Sequence, residues 1–138
     1  MHNRLKEIID YKRELVAVES KQISIATLQV SEAYQKTRRS LRQLIDPKQA
    51  FVIAEFKRKS PAKGILKADA ILDKTISAYQ AAGARAVSVL SDQRFFAGSN
   101  QDVLEASALL NVPLLRKEFI IDQFQVYQTK ALGADLIL

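Results

Sequence analysis

From Phe51 onward, short apolar segments alternate with segments of helical spacing, and this alternation constrains the fold more than any other feature. The first apolar segment is rich in β-forming residues and runs continuously instead of alternating with polar residues, which is typical of a strand buried on both faces. Strands joined through a helix are almost always parallel, with a right-handed connection. The sequence therefore predicts a β-α-β-α-β-α-β order, with strands at 51–56, 86–90, 112–115 and 135–138 and helices at 69–82, 100–110 and 122–132.

The ends of the predicted helices carry recognisable signals. Asp69 is a candidate N-cap for the first helix, because its short side chain can accept a hydrogen bond from the helix start. Gly83 and Gly133 follow the first and third helices, where a left-handed residue commonly ends a helix. We expect all three residues to mark helix boundaries.

The first 48 residues have a different pattern, and we assign residues 1–48 to an amino-terminal helical extension that precedes an α/β domain at 49–138. Apolar residues between Leu5 and Val18 recur near helical spacing, with Glu7, Lys12 and Arg13 on the opposite side. Residues 23–45 are helical but broken, and the pattern closes at Asp46, which precedes a proline. We expect the extension to lie near the open face of a half-barrel formed by the four strands.

Two architectures fit the α/β domain: an open doubly wound sheet or part of a closed (β/α)8 barrel. The turn after the first predicted strand has neither the Gly-x-Gly-x-x-Gly pattern of a dinucleotide site nor the Gly-Lys-Ser/Thr of a phosphate loop. The sequence therefore favours the barrel.

The composition excludes several kinds of chemistry. The chain has no Cys and one His, at position 2, which excludes thiol nucleophiles and thiolate metal sites and argues against a histidine dyad. No apolar segment approaches the roughly 18 residues of a membrane span, and no secretory signal is present at the amino end. We therefore expect a cytoplasmic protein with no membrane partner, whose chemistry uses Lys, Arg, Asp, Glu, Ser or backbone groups.

The net charge of +6 comes entirely from the first 60 residues, which hold 13 Lys/Arg and 7 Asp/Glu, against 8 of each in the remainder. The basic clusters are Lys36, Arg38, Arg39 and Arg42, and then the tripeptide 57–59. Such clusters indicate either a solvated face or an anionic partner, which could be a phosphorylated small molecule or a nucleic acid. No RNA-binding or DNA-recognition motif accompanies the charge, so we expect no nucleic-acid partner.

Charged side chains gather at the carboxyl ends of the predicted strands, where the active face of a parallel α/β protein lies. Glu55 and Lys57 share one side of the first strand, and Lys117 lies on a corresponding side of the third. The three would converge at one rim, where such a cluster can donate a proton or bind an anion. Solvated charges at strand ends are the alternative that position alone leaves open.

Three motifs in order closely resemble the indole-3-glycerol phosphate synthase family. Ile53-Ala-Glu-Phe-Lys-Arg-Lys-Ser-Pro-Ala-Lys-Gly64 is similar to its first strand and loop, and Ser88-Val-Leu-Ser-Asp-Gln-Arg-Phe-Phe-Ala-Gly-Ser99 to its second. Leu114-Leu-Arg-Lys-Glu-Phe-Ile-Ile-Asp122 is similar to the third, and the likeness continues to residue 138. The resemblance implies a (β/α)8 TIM barrel that closes and decarboxylates 1-(o-carboxyphenylamino)-1-deoxyribulose 5-phosphate in tryptophan biosynthesis, without metal or organic cofactor.

The resemblance also implies roles for individual residues. Lys117 would be the general acid that protonates the ketone oxygen, Lys57 would engage the anionic substrate and protonate the leaving water, and Glu55 would orient both lysines. The implied substrate-binding residues are Ser60, Pro61, Ser88, Leu90, Phe96 and Phe119. Core packing for the two Phe and a simple turn at Ser60-Pro61 remain the alternatives.

The chain also departs from the family pattern. Glu118 stands where many members have Asp, and Ser91-Asp92 where Thr-Glu is common. A whole barrel takes about 250 residues, whereas the 138 residues here reach only the fourth strand. We therefore expect a half-barrel that is inactive alone, with a missing carboxyl-terminal half-barrel or a second copy as partner. A non-enzymatic half-barrel that binds phosphorylated anions or self-assembles through open edges is the alternative.

Overall fold

A parallel four-stranded sheet flanked by helices forms the body of the protein, in a computed structural model that describes residues 4–138. The helices are α1 Arg4–Gln22, α2 Ile25–Gln29, α3 Glu32–Gln35, α4 Leu72–Ala81, α5 Gln93–Phe96, α6 Asn100–Leu109 and α7 Gln123–Ala131, with a 3-10 turn at Leu41–Leu44. The strands are β1 Ile53–Phe56, β2 Lys59–Ser60, β3 Gly64–Ile65, β4 Ala86–Leu90, β5 Leu114–Lys117 and β6 Leu136–Ile137. Within residues 4–138, none of the helices combines the length and apolar character that crossing a membrane requires.

The main sheet has the order β1-β4-β5-β6, and every pair in it is parallel. The predicted succession of four parallel strands in chain order is therefore confirmed, and the arrangement is that of a partial (β/α)8 barrel. β5 begins at Leu114 and ends at Lys117, two residues later than predicted. The shift places Lys117 inside the strand, paired with Leu90 of β4.

Helix α4 begins later than predicted, at Leu72, and the expected N-cap at Asp69 is wrong. Residues 67–70 form a turn in which the Ala70 N–H donates to the Lys67 carbonyl, so Asp69 lies before the helix and cannot cap it. The expected helix ends are confirmed, because Gly83 and Gly133 have φ of 91° and 79°. A side chain is rarely tolerated in this left-handed region.

The prediction that the first strand is buried on both faces is also wrong. Ile53 is 41% exposed and Val52 is 62% exposed, whereas Phe56 is buried. β1 is an edge strand that pairs only with β4. The first residues of this apolar segment, Val52 and Ile53, are therefore exposed at the edge of the sheet.

A small antiparallel hairpin, β2–β3, was not predicted and follows β1 directly. Lys59 pairs with Ile65 and Ser60 with Gly64, which has a φ of 68° and follows the turn at residues 61–63. The Ser60 hydroxyl accepts a hydrogen bond from the Lys63 N–H at 3.1 Å, which stabilises the turn. A turn at Ser60-Pro61, one of the two interpretations above, is thus present.

The main core fills the space between one face of the sheet and helices α4 and α6. Alternation along the strands sends Val87, Val89 and Leu114 into this layer, where they meet Ile76 and Val103. All five are fully buried. The opposite face of the same strands therefore carries the side chains that lie between them in sequence, including Glu55, Ser88 and Lys117.

The amino-terminal helices pack on α7, the last helix of the domain. Arg38 donates from its guanidinium to the Ala134 carbonyl at 3.0 Å, and Arg39 donates from Nε to Asp135 Oδ2 at 2.8 Å. Asp135 Oδ2 also accepts from the Leu114 N–H at 2.8 Å. These two arginines of the basic cluster therefore fasten the extension to the start of β6, a structural role that neither sequence interpretation included.

Candidate active site

A cavity of about 460 Å³ lies at the carboxyl ends of β1, β4 and β5. Parallel strands place these ends at one rim, so residues distant in sequence come together there. Six of the nine residues selected from the sequence line the cavity: Glu55, Lys57, Leu90, Phe96, Lys117 and Phe119.

Glu55 lies between the ammonium groups of the two lysines. Its Oε1 is 2.9 Å from Lys57 Nζ, and its Oε2 is 3.4 Å from Lys117 Nζ. The Ser88 hydroxyl, which is buried beneath the carboxylate, donates to Oε2 at 3.4 Å. The Glu55, Lys57 and Lys117 side chains are 31%, 31% and 39% exposed, so they are partly desolvated yet accessible to a ligand.

The two lysines hold the Glu55 carboxylate in its charged form. Burial raises the pKa of Glu55, but the hydrogen bond and charge of Lys57, together with the weaker contribution of Lys117, outweigh burial and lower it below its ordinary value. The carboxylate is therefore ionised at neutral pH. In that state it can orient both ammonium groups without taking their protons.

The lowered pKa of Glu55 predicts a pH-dependent contribution to stability. Because the folded-state pKa lies below the unfolded one, the stabilisation is complete above the unfolded value of about 4.5 and disappears as the pH falls through the folded-state pKa. We expect Glu55→Gln to unfold at lower urea concentration than the wild type at pH 7. That difference should shrink steadily below pH 4.5, as measured by urea unfolding at several pH values.

Glu14 provides the matched control for this experiment, because it is an exposed carboxylate on α1. Glu14→Gln should change the urea midpoint little at either pH. A Glu55→Gln difference that stayed constant from pH 7 to pH 3 would contradict the assigned ion pairs.

Two aromatic rings form the apolar wall of the cavity. Phe96 ends α5 and Phe119 follows β5, and their ring centroids are 6.2 Å apart. Leu90 is buried at the end of β4. A flat apolar ligand beside the lysine pair would contact both rings, so the cavity combines an apolar wall with a charged one.

The other three selected residues do not line the cavity. Ser88 contacts Glu55 from below, and Ser60 and Pro61 lie on the β2–β3 hairpin. The contact of Ser88 is to the Glu55 carboxylate, and the hairpin begins two residues after Lys57.

Sequence reasoning missed six cavity residues: Ile9, Asp92, Glu118, Ile120, Ile121 and Leu138. Ile9 belongs to α1, and no local pattern shows that this helix crosses the rim. Asp92 lies two residues after β4 and Glu118 directly follows β5, so strand position is a signal that could have found them. The extension therefore contributes to the site as well as to the fold.

Lys12 of α1 is buried, which contradicts its assignment to the solvent side of the helix. Its ammonium is 2.9 Å from Asp92 Oδ2 and 3.1 Å from Glu118 Oε1, and all three side chains are at most 3% exposed. A buried charge requires partners because its desolvation costs several kcal/mol. The two carboxylates are those partners, and they join α1 to the loops after β4 and β5.

Arg116, the neighbour of Lys117, points away from the cavity into the layer under α1 and α7. It donates to Ser91, Asn100, Gln128 and Thr129 at 2.9–3.0 Å. Burial lowers the pKa of its guanidinium more than the charges of the nearby glutamates raise it. Adjacent residues of β5 thus serve opposite faces of the sheet.

The basic tripeptide 57–59 divides in the same way. Lys57 faces the cavity, whereas Arg58 makes two hydrogen bonds of 2.7 and 2.9 Å to the carboxylate of Asp102. Lys59 donates to the Arg94 carbonyl at 3.1 Å. Of these three residues, only Lys57 lines the cavity.

Comparison with known proteins supplies a family for this arrangement. The family model for indole-3-glycerol phosphate synthase matches residues 5–138. Curated proteins of that name from Bacteroides thetaiotaomicron, Rhizorhabdus wittichii and Alkaliphilus metalliredigens are 43%, 41% and 37% identical, over 100%, 100% and 97% of this chain. The same matches cover 53%, 54% and 52% of the relatives, so the chain spans about half the length of the curated relatives that it matches.

Proposed function

This chain belongs to the indole-3-glycerol phosphate synthase family, and on that premise we propose that it supplies the proton-donating half of such an enzyme's active site. The substrate would be 1-(o-carboxyphenylamino)-1-deoxyribulose 5-phosphate, and the reaction ring closure with loss of carbon dioxide and water. The observation that carries the proposal is the Lys57–Glu55–Lys117 group, which lies in one cavity beside two facing aromatic rings.

Lys117 is proposed as the general acid of ring closure. As the carboxyl-bearing ring carbon attacks the substrate ketone, a carbon–carbon bond forms and negative charge develops on the ketone oxygen. The Lys117 ammonium donates its proton to that oxygen, and charge stabilisation of this kind is a large term in catalysis. Loss of carbon dioxide then returns the bonding electron pair to the ring.

Lys57 is proposed to complete the reaction. Its ammonium attracts the anionic substrate and then protonates the new hydroxyl group, which leaves as water. The adjacent ring CH2 releases a proton to solvent, and the electron pair of that C–H bond forms the pyrrole double bond. Glu55 keeps both donors in place through its two oxygens, 2.9 and 3.4 Å from their nitrogens. Phe96, Phe119 and Leu90 hold the aromatic ring, while Ser88 and the Ser60-Pro61 turn support the strand end.

Joining this chain to the carboxyl-terminal half of the Bacteroides thetaiotaomicron relative tests the proposed function. We expect the 138 residues alone to form no measurable indole-3-glycerol phosphate, because they provide only part of the groups that the family uses. The joined chain should form the product at an enzymatic rate, followed by indole fluorescence.

The carboxyl-terminal half assayed alone is the control for the joined chain. Activity of that half without the 138 residues would contradict the assignment of Lys57, Glu55 and Lys117. A joined chain that folds and binds phosphate but never turns over would favour the non-enzymatic anion-binding alternative.

We also propose that the outer strands β1 and β6 mediate association with a complementary half-barrel or with a second copy. Each has a single hydrogen-bonded neighbour in the main sheet, and each carries an exposed apolar residue, Ile53 in β1 and Ile137 in β6. Unpaired strand edges of this kind readily pair with another chain. The 138-residue chain should sediment as species larger than 15.5 kDa at high concentration.

Placing a charge beside the β1 edge should oppose this association. We expect Val52→Lys to shift sedimentation toward the monomer, whereas Leu104→Lys, at an exposed site on α6, should not. A monomeric wild type at all concentrations would contradict edge pairing.

A further inference from the structure

The side chains that line the cavity carry a net negative charge, which disfavours an anionic ligand. Lys57 and Lys117 contribute two positive charges, whereas Glu55, Asp92 and Glu118 contribute three negative ones. The lining alone therefore carries a net charge of −1, from 2 − 3. A site for a substrate that bears a phosphate and a carboxylate requires the opposite sign.

The amino-terminal helix corrects this balance from outside the cavity. Lys12 does not line the cavity, but its ammonium contacts two of the three carboxylates, at 2.9 and 3.1 Å. The Arg116 guanidinium is 4.0 Å from the other oxygen of Glu118. Including Lys12 changes the local sum from −1 to 0, so the carboxylates no longer outnumber the cations around the cavity.

The same carboxylates hold the aromatic walls. Asp92 Oδ1 accepts from the Phe95 N–H at 2.6 Å and thereby caps α5, the helix that ends with Phe96. Glu118 Oε1 accepts from the Phe119 N–H at 2.8 Å. Lys12 therefore contacts both groups that fix the two rings, and it does so while remaining 2% exposed.

We propose that Lys12 is a positioning residue of the active site, which makes the cavity selective for anionic aromatic ligands by neutralising Asp92 and Glu118. The inference rests on the proposed function, because that function supplies the anionic substrate. The amino-terminal extension thereby has a direct electrostatic role. Lys12 of α1 neutralises two buried carboxylates that would otherwise repel an anionic ligand.

A pair of probes of equal shape tests this role in the 138-residue chain. N-phenylanthranilate carries a carboxylate, and its methyl ester does not. Binding of each is measured by ligand-observed NMR, at protein concentrations where the chain sediments as a single species. We expect the wild type to prefer the anion, and Lys12→Met to lose about tenfold in affinity for it, since two uncompensated carboxylates then face the ligand.

Affinity for the ester should change less than twofold in Lys12→Met. A general loss of structure would instead weaken binding of the anion and of the ester alike. Lys12→Arg should retain the preference because it keeps the charge. Lys21→Met, which removes an exposed cation from the last turn of the same helix, should leave it unchanged. Adding Asp92→Asn to Lys12→Met should restore much of the affinity for the anion, because Asn also caps a helix but is uncharged.

The possible outcomes separate the two hypotheses. A wild type without preference for the anion contradicts the proposed function, and this inference with it. A wild type that prefers the anion, with a Lys12→Met variant that keeps the same preference, overturns the inference alone. If circular dichroism shows that Lys12→Met does not fold, Asp92→Asn is compared with the Lys12→Met/Asp92→Asn double variant, which differs from it only at Lys12: a weaker preference for the anion in the double variant supports the role of Lys12, and an equal preference overturns it.

Discussion

Replacing Lys117 by alanine in the joined, full-length chain is expected to lower kcat by about 10²–10⁴-fold, the range typical of a lost general acid. KM should change far less, because the proton is needed only when charge develops on the ketone oxygen in the transition state. Steady-state kinetics of product formation measures both constants. Lys63→Ala, which removes an exposed lysine from the hairpin turn, is the control and should leave both near the wild-type values.

A different result would assign Lys117 another role. If KM rose and kcat stayed constant, the ammonium would act as an anion clamp, and the proton would have to come from elsewhere. Lys57 lies on the other side of the same carboxylate, 2.9 Å from Glu55, and would then be the first candidate.

The largest loss of stability is expected from Arg116→Leu, at about 3–5 kcal/mol. Removing the guanidinium leaves buried acceptors on Ser91, Gln128 and Thr129 without their donor, and it removes a cation from the side of Glu118. Domains of this size are stable by only about 5–15 kcal/mol, so the variant would retain little of its stability. The free energy of unfolding in urea measures the effect.

Arg85→Leu is the control for this measurement, because Arg85 is exposed just before β4. Its stability should remain within about 0.5 kcal/mol of the wild type, as is usual for surface substitutions. If both variants lost the same amount, the hydrogen-bond network around Arg116 would have no special contribution.

Much of the sheet and the meeting of the charged residues could be predicted, because both depend on short-range periodicity. A strand places every second residue on one face, so Glu55 and Lys57 had to lie together, and parallel pairing then brought Lys117 to the same rim. The helix ends at Gly83 and Gly133 were predictable for a related reason, since each depends on one local backbone conformation.

The features that could not be predicted depend on contacts between distant elements. Lys12 has the spacing of a solvent-facing residue, and only the packing of α1 across the rim buries it. Arg38 and Arg39 likewise have the pattern of a basic surface, and only the folded chain brings Arg38 to the Ala134 carbonyl and Arg39 to the Asp135 carboxylate. The exposure of Ile53 follows from its place on an edge strand, which an apolar run alone cannot show.

The opposite directions of Arg116 and Lys117 make β5 intolerant of a change in its length. Inserting or deleting one residue ahead of Arg116 would send the guanidinium into the cavity and the ammonium into the layer beneath α1. We expect such a variant to lose both activity and stability. Lys117 would then face the buried acceptors that Arg116 satisfies, and Arg116 would face Glu55 in the cavity. The alternation of side chains along β5 therefore fixes two things at once: which residue reaches the cavity and which residue joins the buried hydrogen-bond network.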